Sequence, residues 1–240
     1  MADVDVDTAA PARTARGGPV GNRLALAGAV LYLLEWVAII GAAPPGPFGP
    51  GTSHHSIYSS YATHAGGASF AAAWFAVVLV GRILFVAGVK ASLRDRPRER
   101  PLLDLALGAM AVSVVLEIVA FAVVAGDARL AAGGAATGLV VGLDSAAFWV
   151  DLLIWGPVGV SVLATGVAML RSGLFASWLS WLGALAGAAG IIACLVAGAT
   201  VDASGSGAAD AATSLPALAM WVWMVVTGVV LWRRAPAAVD

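Results

Sequence analysis

Three ionisable residues, Glu35, Arg82 and Glu117, lie deep inside long apolar segments of the chain. Charged side chains are costly to place in lipid, so such residues are functional candidates by default. The guanidinium of Arg82 keeps its charge, and it cannot neutralise two glutamates. We therefore predict that Arg82 pairs with at least one of them and that the other carboxyl group is solvated in a cavity or protonated. Such a carboxyl group can donate or relay a proton, or hold a polar ligand.

Helix geometry brings these three residues to similar depths. Counted from the charged residue that ends each segment on its basic side, Glu35 lies roughly 18 Å deep, Glu117 about 20 Å and Arg82 about 12 Å. Helical side chains lean toward the N-terminus of their own helix. Arg82 lies on a segment of opposite direction, so it leans toward the level of the glutamates. This predicts one polar site slightly outside the midplane, or else a structural ion pair that fixes helix packing.

Asp144, Asp151 and Trp155 are further candidates, because their spacings of seven and four positions place them on one helical face. Asp151 is about 30 Å from the basic end of its segment, near the outer interface. The three residues predict an acidic, aromatic lining at the outer mouth, although a hydrated interfacial face would have the same pattern. Tyr32 lies three positions before Glu35 and is a candidate hydrogen-bond partner.

His54, His55 and His64 lie on one predicted outer segment. Together with the carboxylates named above they could bind a divalent metal, since imidazole and carboxylate are common ligands. The alternative is that they are ordinary surface histidines. The sequence has no phosphate-binding loop, dinucleotide fingerprint or zinc-protease helix, so no cofactor is predicted.

The composition indicates that helices in a membrane position these residues. Hydrophobic residues make up 60% of the 240 positions and charged residues only 11%, against about 25% charged residues in a typical soluble domain. A bilayer core requires about 20 apolar residues in helical form, and six segments are long enough. They are 22–43, 68–93, 102–125, 146–170, 178–200 and 215–232. Each must be a helix, because lipid offers no partner to unpaired backbone groups.

The predicted fold class is therefore an all-α, polytopic bundle of six transmembrane helices, with one membrane domain over 22–234. Residues 1–21 are predicted to be a disordered cytoplasmic tail, and 235–240 a second cytoplasmic tail. Of two outer segments, 53–66 has no helix breaker before its end, and 137–146 leads into the fourth apolar segment. They predict short interfacial helices that cap the bundle.

The basic residues predict the orientation of the bundle. Eleven of the thirteen fall on one side of a six-span topology, namely Arg13, Arg16, Arg23, Lys90, Arg94, Arg96, Arg98, Arg100, Arg171, Arg233 and Arg234. Basic loops stay in the cytoplasm, so both termini are predicted there, and the composition suggests a bacterial cytoplasmic membrane. The expected environment is the lipid bilayer, and a net charge of −1 predicts no nucleic-acid partner.

Small residues form a stripe on the fifth segment, where Gly183, Gly187, Gly190, Cys194 and Gly198 share one face. Such a stripe lets another helix backbone approach closely. We expect it to pack inside the bundle, although oligomerisation through Gly183, Gly187 and Gly190 is possible.

Arg171-Ser172-Gly173 ends the fourth segment, and Trp178-Leu179-x-Trp181-Leu182-Gly183 begins the fifth. This stretch resembles an uncharacterised family of bacterial six-helix integral membrane proteins. Ala176 and Ser177 stand where that family often has a proline and a polar or basic residue. The resemblance implies the six-helix fold, and it carries over no activity, cofactor or catalytic residue.

Three functions are compatible with these patterns. The leading one is a polar pocket between the first four helices that binds or translocates a small solute or protons, with Glu35 and Glu117 exchanging protons and Arg82 as counter-charge. The second is an intramembrane enzyme for a lipophilic substrate, with a glutamate as general acid and tryptophans stabilising cations, as in isoprenoid cyclases. The third is a non-catalytic membrane scaffold. The sequence leaves open whether the chain is an enzyme.

Overall fold

The structure is a computed structural model that describes residues 19–204 and 206–234, with side chains described for 20–200 and 213–234. Within these ranges the regular elements are helices. They are α1 (Pro19–Leu33), α2 (Glu35–Ala42), α3 (His54–Val78), α4 (Val80–Ser92), α5 (Arg100–Ala132), α6 (Thr137–Ser172), α7 (Ser177–Ser204) and α8 (Ser206–Arg234), with one 3-10 turn at Pro97–Glu99. The predicted tails before Pro19 and after Arg234 lie outside the described residues.

Six helices are long and apolar enough to cross a membrane, which confirms the predicted all-α bundle of six spans. They are Val20–Ala42, His54–Ser92, Pro97–Ala132, Thr137–Ser172, Ser177–Thr200 and Thr213–Arg234, and we number them as spans one to six. Span one consists of α1 and α2, and span two of α3 and α4. Large apolar side chains such as Leu185, Leu195 and Val115 are exposed on the outside of the bundle, as a lipid-facing surface requires.

The bundle has two chemically different ends. At one end, Arg171 at the end of span four lies 3.4 Å from the Glu99 carboxylate that precedes α5, and we call it the basic end. At the other, which we call the far end, the loop after span one reaches span four, where the Phe48 amide donates to Asp144. The six spans run alternately from one end to the other. Span six packs along span one, which closes the bundle.

The two predicted outer segments are helical, but each is continuous with a span. Ser53 caps the start of α3, with its hydroxyl oxygen accepting from the Ser56 amide at 3.2 Å, and the helix bends at His64, whose φ of −110° and ψ of 20° are not helical. Residues 137–146 are the first turns of α6. The caps at the far end are therefore extensions of spans two and four.

Glycines bring spans one and two into backbone contact. A Cβ atom added to Gly81 would lie 2.5 Å from the Gly28 carbonyl oxygen and 2.6 Å from the Tyr32 amide nitrogen, and one added to Gly88 would lie 2.3 Å from the Ala25 amide nitrogen. No side chain fits in these places, so the helices touch backbone to backbone. This contact sets Tyr32 of span one against the residues that follow Gly81 on span two.

The glycine stripe of span five packs inside the chain. A Cβ atom added to Gly187 would lie 2.2 Å from the Leu163 amide nitrogen of span four, and one added to Gly183 would lie 2.5 Å from the Trp223 ring of span six. Gly190 faces Trp155 at ordinary contact distance. At these three glycines the face is occupied by the chain's own helices, whereas a Cβ atom added to Gly198 would meet no neighbour within 4 Å.

Span one is interrupted at Leu34, and span two, which also bends at His64, is interrupted at Leu79. Near each break a 3-10 hydrogen bond forms, from the Val37 amide to Leu34 at 3.1 Å and from the Arg82 amide to Leu79 at 3.0 Å. Mid-helix 3-10 turns often mark functional positions. Glu35 and Arg82 follow these breaks within one turn, so both helices are irregular where they carry their charges.

Candidate functional site

The side chain of Arg82 lies in the middle of the bundle and is only 2% exposed. Its guanidinium forms an ion pair with the Glu117 carboxylate of span three. The guanidinium carbon also lies 4.7 Å from the centre of the Tyr32 ring, a cation–π arrangement. Arg82 is therefore held by a charge from span three and by an aromatic ring from span one.

Glu35 faces the same region but is not paired in the same way. Its side chain is buried, and its Oε2 atom has no hydrogen-bond partner among the described residues. The Tyr32 hydroxyl is close enough to hydrogen-bond to the Glu35 carboxyl group, and Arg82 and Asp151 lie within electrostatic range of it. A buried carboxyl oxygen without a partner is costly. Glu35 therefore has a carboxylate oxygen that can still accept a hydrogen bond from a bound molecule.

These residues line one cavity of about 420 Å³. Its wall includes three acids, one arginine and five aromatic side chains, namely Glu35, Glu117, Asp151, Arg82, Tyr32, Trp36, Phe121, Trp155 and Trp221. All three residues predicted as the intramembrane site are in this list, and so are Asp151, Trp155 and Tyr32 of the further candidates. Such a mixture of apolar walls and a few convergent polar groups is typical of small-molecule sites.

The cavity extends from the ion pair toward the far end. Thr213 and Ser214, at the start of span six, line it there. On the basic side of the ion pair, Phe85, Met110 and Trp223 are buried in the main hydrophobic core. In this conformation these side chains close the basic side of the cavity and form its floor, and the ion pair of Arg82 and Glu117 lies near that floor.

Span six supplies a wall that the sequence did not predict. The Trp221 indole donates to the Tyr32 hydroxyl oxygen at 3.0 Å, and its ring packs edge-on against Trp36 with centroids 4.9 Å apart. Trp221 therefore orients the tyrosine that lies over Arg82. The sequence could not predict this role of Trp221, because Trp221 lies on an apolar helix and Tyr32 is 189 positions away in the chain.

Comparisons with family models, curated proteins and solved structures found no match to this chain. What the site does must therefore be argued from its geometry.

Asp144 lies outside this cavity and has a different task. Its carboxylate accepts from the Phe48 amide at 2.8 Å, from the Gly49 amide at 3.2 Å and from the Tyr61 hydroxyl at 2.7 Å. It therefore ties the loop after span one to spans two and four, which corrects its placement with Asp151 at the outer mouth. The physical reason is distance, because seven residues of helix separate the two carboxylates by about 10 Å.

We expect Asp144→Ala to lower the melting temperature of the purified protein in detergent. The change leaves the part-buried Phe48 amide and the buried Gly49 amide without their acceptor, while the Tyr61 hydroxyl keeps the Gly46 carbonyl oxygen, and each buried group left unpaired costs about 1–3 kcal/mol. Asp104→Ala is the control, because Asp104 forms an exposed ion pair with Lys90. Equal melting temperatures for the two variants would show that Asp144 does not hold the loop.

Asp127 is a buried acid that sequence reasoning passed over as the end of span three. The helix continues to Ala132, and the Asp127 side chain is fully buried, with neither carboxylate oxygen hydrogen-bonded within the described part of the chain. Tyr61 and Asp144 are its polar neighbours. Asp127 is buried because the helix continues past residue 125, the predicted end of the third segment, to Ala132.

The three histidines are exposed and do not converge. His64 Nδ1 lies 2.9 Å from the Ser60 carbonyl oxygen of its own helix, and His54 and His55 lie at the start of α3. Among the described residues no group of three or more histidine, cysteine or acidic side chains is arranged to hold a metal ion. The described residues therefore offer no site for the divalent metal that the histidines suggested.

Proposed function

We propose that this chain is a membrane protein that binds a small solute in the cavity above Arg82, with Glu35 as the residue that contacts the solute's polar group. One observation carries the proposal: Glu35 has a buried carboxylate oxygen without a hydrogen-bond partner, and it faces a cavity of about 420 Å³. Buried polar groups are normally satisfied. A bound solute is the simplest partner for this one.

The ion pair beside it has a supporting role in this proposal. Glu117 and the Tyr32 ring compensate the charge of Arg82 before any solute enters, while its Nε has no hydrogen-bond partner among the described residues. The pair fixes the floor of the cavity and holds spans one, two and three together. Because Phe85, Met110 and Trp223 close the basic side, the conformation supports binding from the far end or the bilayer. Translocation would require a second conformation.

The proposal is tested by filling the cavity from a position away from the charges. We expect Ala217→Phe, whose new ring enters the cavity, to weaken the binding of small benzyl probes at least about tenfold, since the occupied volume is lost. The probes are benzyltrimethylammonium, neopentylbenzene and phenylmethanesulfonate, which share one shape and differ in charge. Their equilibrium binding to the full chain in detergent is measured by dialysis.

The matched control is Ala219→Phe. Ala219 lies two positions further on the same helix and lines a different, lipid-facing groove between spans five and six. It should leave probe binding unchanged. If no probe binds the unmodified chain, or if both variants bind all probes equally well, the proposed function is wrong.

We further propose that the chain resides in a bacterial cytoplasmic membrane with its basic end in the cytoplasm, and that it belongs to the six-helix family it resembles. Gly173 supports the resemblance, because it ends α6 in a left-handed conformation, with a φ of 65°, just where the Arg-Ser-Gly turn is expected. Fluorescence of a green fluorescent protein fused to the C-terminus would support the orientation. Its absence, with the fusion intact in the membrane, would contradict it.

An intramembrane enzyme is the second candidate, favoured by the five aromatic side chains around Glu35. Carbocations formed by protonating a polyprene would be stabilised by such walls, with Glu35 as general acid. Trp74 and Trp149 do not line this cavity, because the Trp74 indole donates to the Leu34 carbonyl oxygen and Trp149 packs against Phe148. Incubation with squalene should then give an isomer of unchanged mass that Glu35→Gln does not form. Unchanged squalene would remove this candidate for that substrate class.

A further inference from the structure

We infer that the cavity selects a lipophilic organic cation, such as an alkyl- or arylammonium compound, whose positive group lies against Glu35. This rests on the proposed function and names the class of solute. Three independent features of the site carry it: the sum of its charges, the chemistry of its walls, and the way the cavity meets the bilayer.

The charged side chains that line the cavity are unequal in number. Arg82 from span two faces Glu35 from span one, Glu117 from span three and Asp151 from span four. The described part of span six contributes no charged side chain to the wall. Arg82 already pairs with Glu117, so no cation among the described lining residues is left to pair with Glu35. A second positive charge is what this arrangement lacks, whereas an anion would face unfavourable charge.

The walls around Glu35 suit a soft cation. Trp36 and Trp221 meet edge-on with ring centroids 4.9 Å apart, and Tyr32 and Trp221 do so at 5.1 Å. Trp155 forms part of the opposite wall. The faces of such rings attract ammonium groups, and aromatic cages are how proteins recognise quaternary ammonium. The Tyr32 ring already accepts the Arg82 guanidinium in this manner.

The cavity is also open to the side of the bundle. Trp36, Ile39 and Leu218 line it and are 45%, 36% and 61% exposed. Span one packs along α8 through α1, and beyond the break at Leu34 it meets α8 through the edge-on pair of Trp36 and Trp221. In a bilayer the exposed side chains of this stretch face acyl chains. A solute that enters by this route must be lipophilic apart from its charged group.

The test compares benzyltrimethylammonium with its uncharged isostere neopentylbenzene. We expect the cation to bind the full chain more tightly, and Glu35→Gln to weaken it at least about tenfold, since a contact to a charged group is lost. Binding of neopentylbenzene to the same variant should change little. A quaternary ammonium carries no exchangeable proton, so its own charge is constant across pH.

A second variant keeps the test decisive if Glu35→Gln does not fold. Trp36→Leu keeps an apolar side chain at a half-exposed position and removes one ring, and it should weaken cation binding about 2- to 20-fold more than it weakens neopentylbenzene binding, because only the cation loses a cation–π contact. Glu35→Asp, which keeps the charge, should retain cation binding better than Glu35→Gln. Size-exclusion profiles show which variants are folded.

The outcomes separate the two proposals. Tighter binding of neopentylbenzene or phenylmethanesulfonate, lost in Ala217→Phe, would overturn the cation inference and leave the proposed solute site standing. Undiminished cation binding by Glu35→Gln or by Trp36→Leu would also overturn it. Binding of benzyltrimethylammonium that Ala217→Phe does not affect would place the cation elsewhere and overturn both.

Discussion

Arg82→Ala should sharply reduce the yield of folded protein extracted from the membrane. The substitution leaves Glu117 as a buried carboxylate without its cation, and removing one partner of a buried ion pair costs about 3–5 kcal/mol. It also removes the group over the Tyr32 ring. Since this is a large part of a typical folding free energy, most of the variant should be lost to aggregation. Size-exclusion chromatography in detergent measures the folded fraction.

The control is an ion pair between the same two spans. Lys90 of span two pairs with Asp104 of span three near the basic end, where both side chains are substantially exposed. Exposed pairs contribute about 0–1 kcal/mol, so Lys90→Ala should fold almost normally. The double variant Arg82→Ala with Glu117→Gln should recover part of the yield, because it no longer buries an unpaired charge. Equal yields for Arg82→Ala and Lys90→Ala would mean that the buried pair does not stabilise the bundle.

The meeting of Arg82 and Glu117 could be predicted because it follows from local rules. The rise per residue is constant in a helix, and side chains lean toward the helix N-terminus. Two residues on antiparallel helices can therefore be placed at one depth from the positions of the flanking charges alone. The same rules placed Glu35 and Tyr32 on one face of span one.

The rest of the site depends on contacts that no local rule describes. Trp221 and Tyr32 are 189 positions apart in the chain, and nothing in the sixth apolar segment distinguishes Trp221 from its neighbours. Asp144 is a related case, because two of its partners come from the loop at Phe48 and Gly49. Which loop covers a helix end is decided by tertiary packing.

One missed feature did have a signal. Gly81 and Gly88 are seven positions apart and so share a face of span two, as the glycines of span five do. Small residues on one face predict a close helix contact. The structure shows that both stripes are used, the first against span one and the second against spans four and six. Only the first of these contacts positions the site.

Gly81→Val should prevent folding, and even Gly81→Ala should destabilise the protein by about 3 kcal/mol, the upper part of the usual cost of overpacking. A Cβ atom at this position would lie 2.5 Å from the Gly28 carbonyl oxygen and 2.6 Å from the Tyr32 amide nitrogen, both of them backbone atoms that cannot rotate away. Spans one and two must separate to admit it. Folded yield and melting temperature in detergent measure the loss.

Gly108→Ala is the matched control, because Gly108 lies in span three and a Cβ atom added there would have no neighbour within 4 Å. Alanine is the better helix former by about 1 kcal/mol, so this variant should be as stable as the unmodified chain or slightly more so. Any folded Gly81→Ala should also bind benzyltrimethylammonium more weakly, since separating the spans moves Tyr32 away from Arg82. If Gly81→Ala matched Gly108→Ala in stability and in binding, the backbone contact would not be what holds Tyr32 over Arg82.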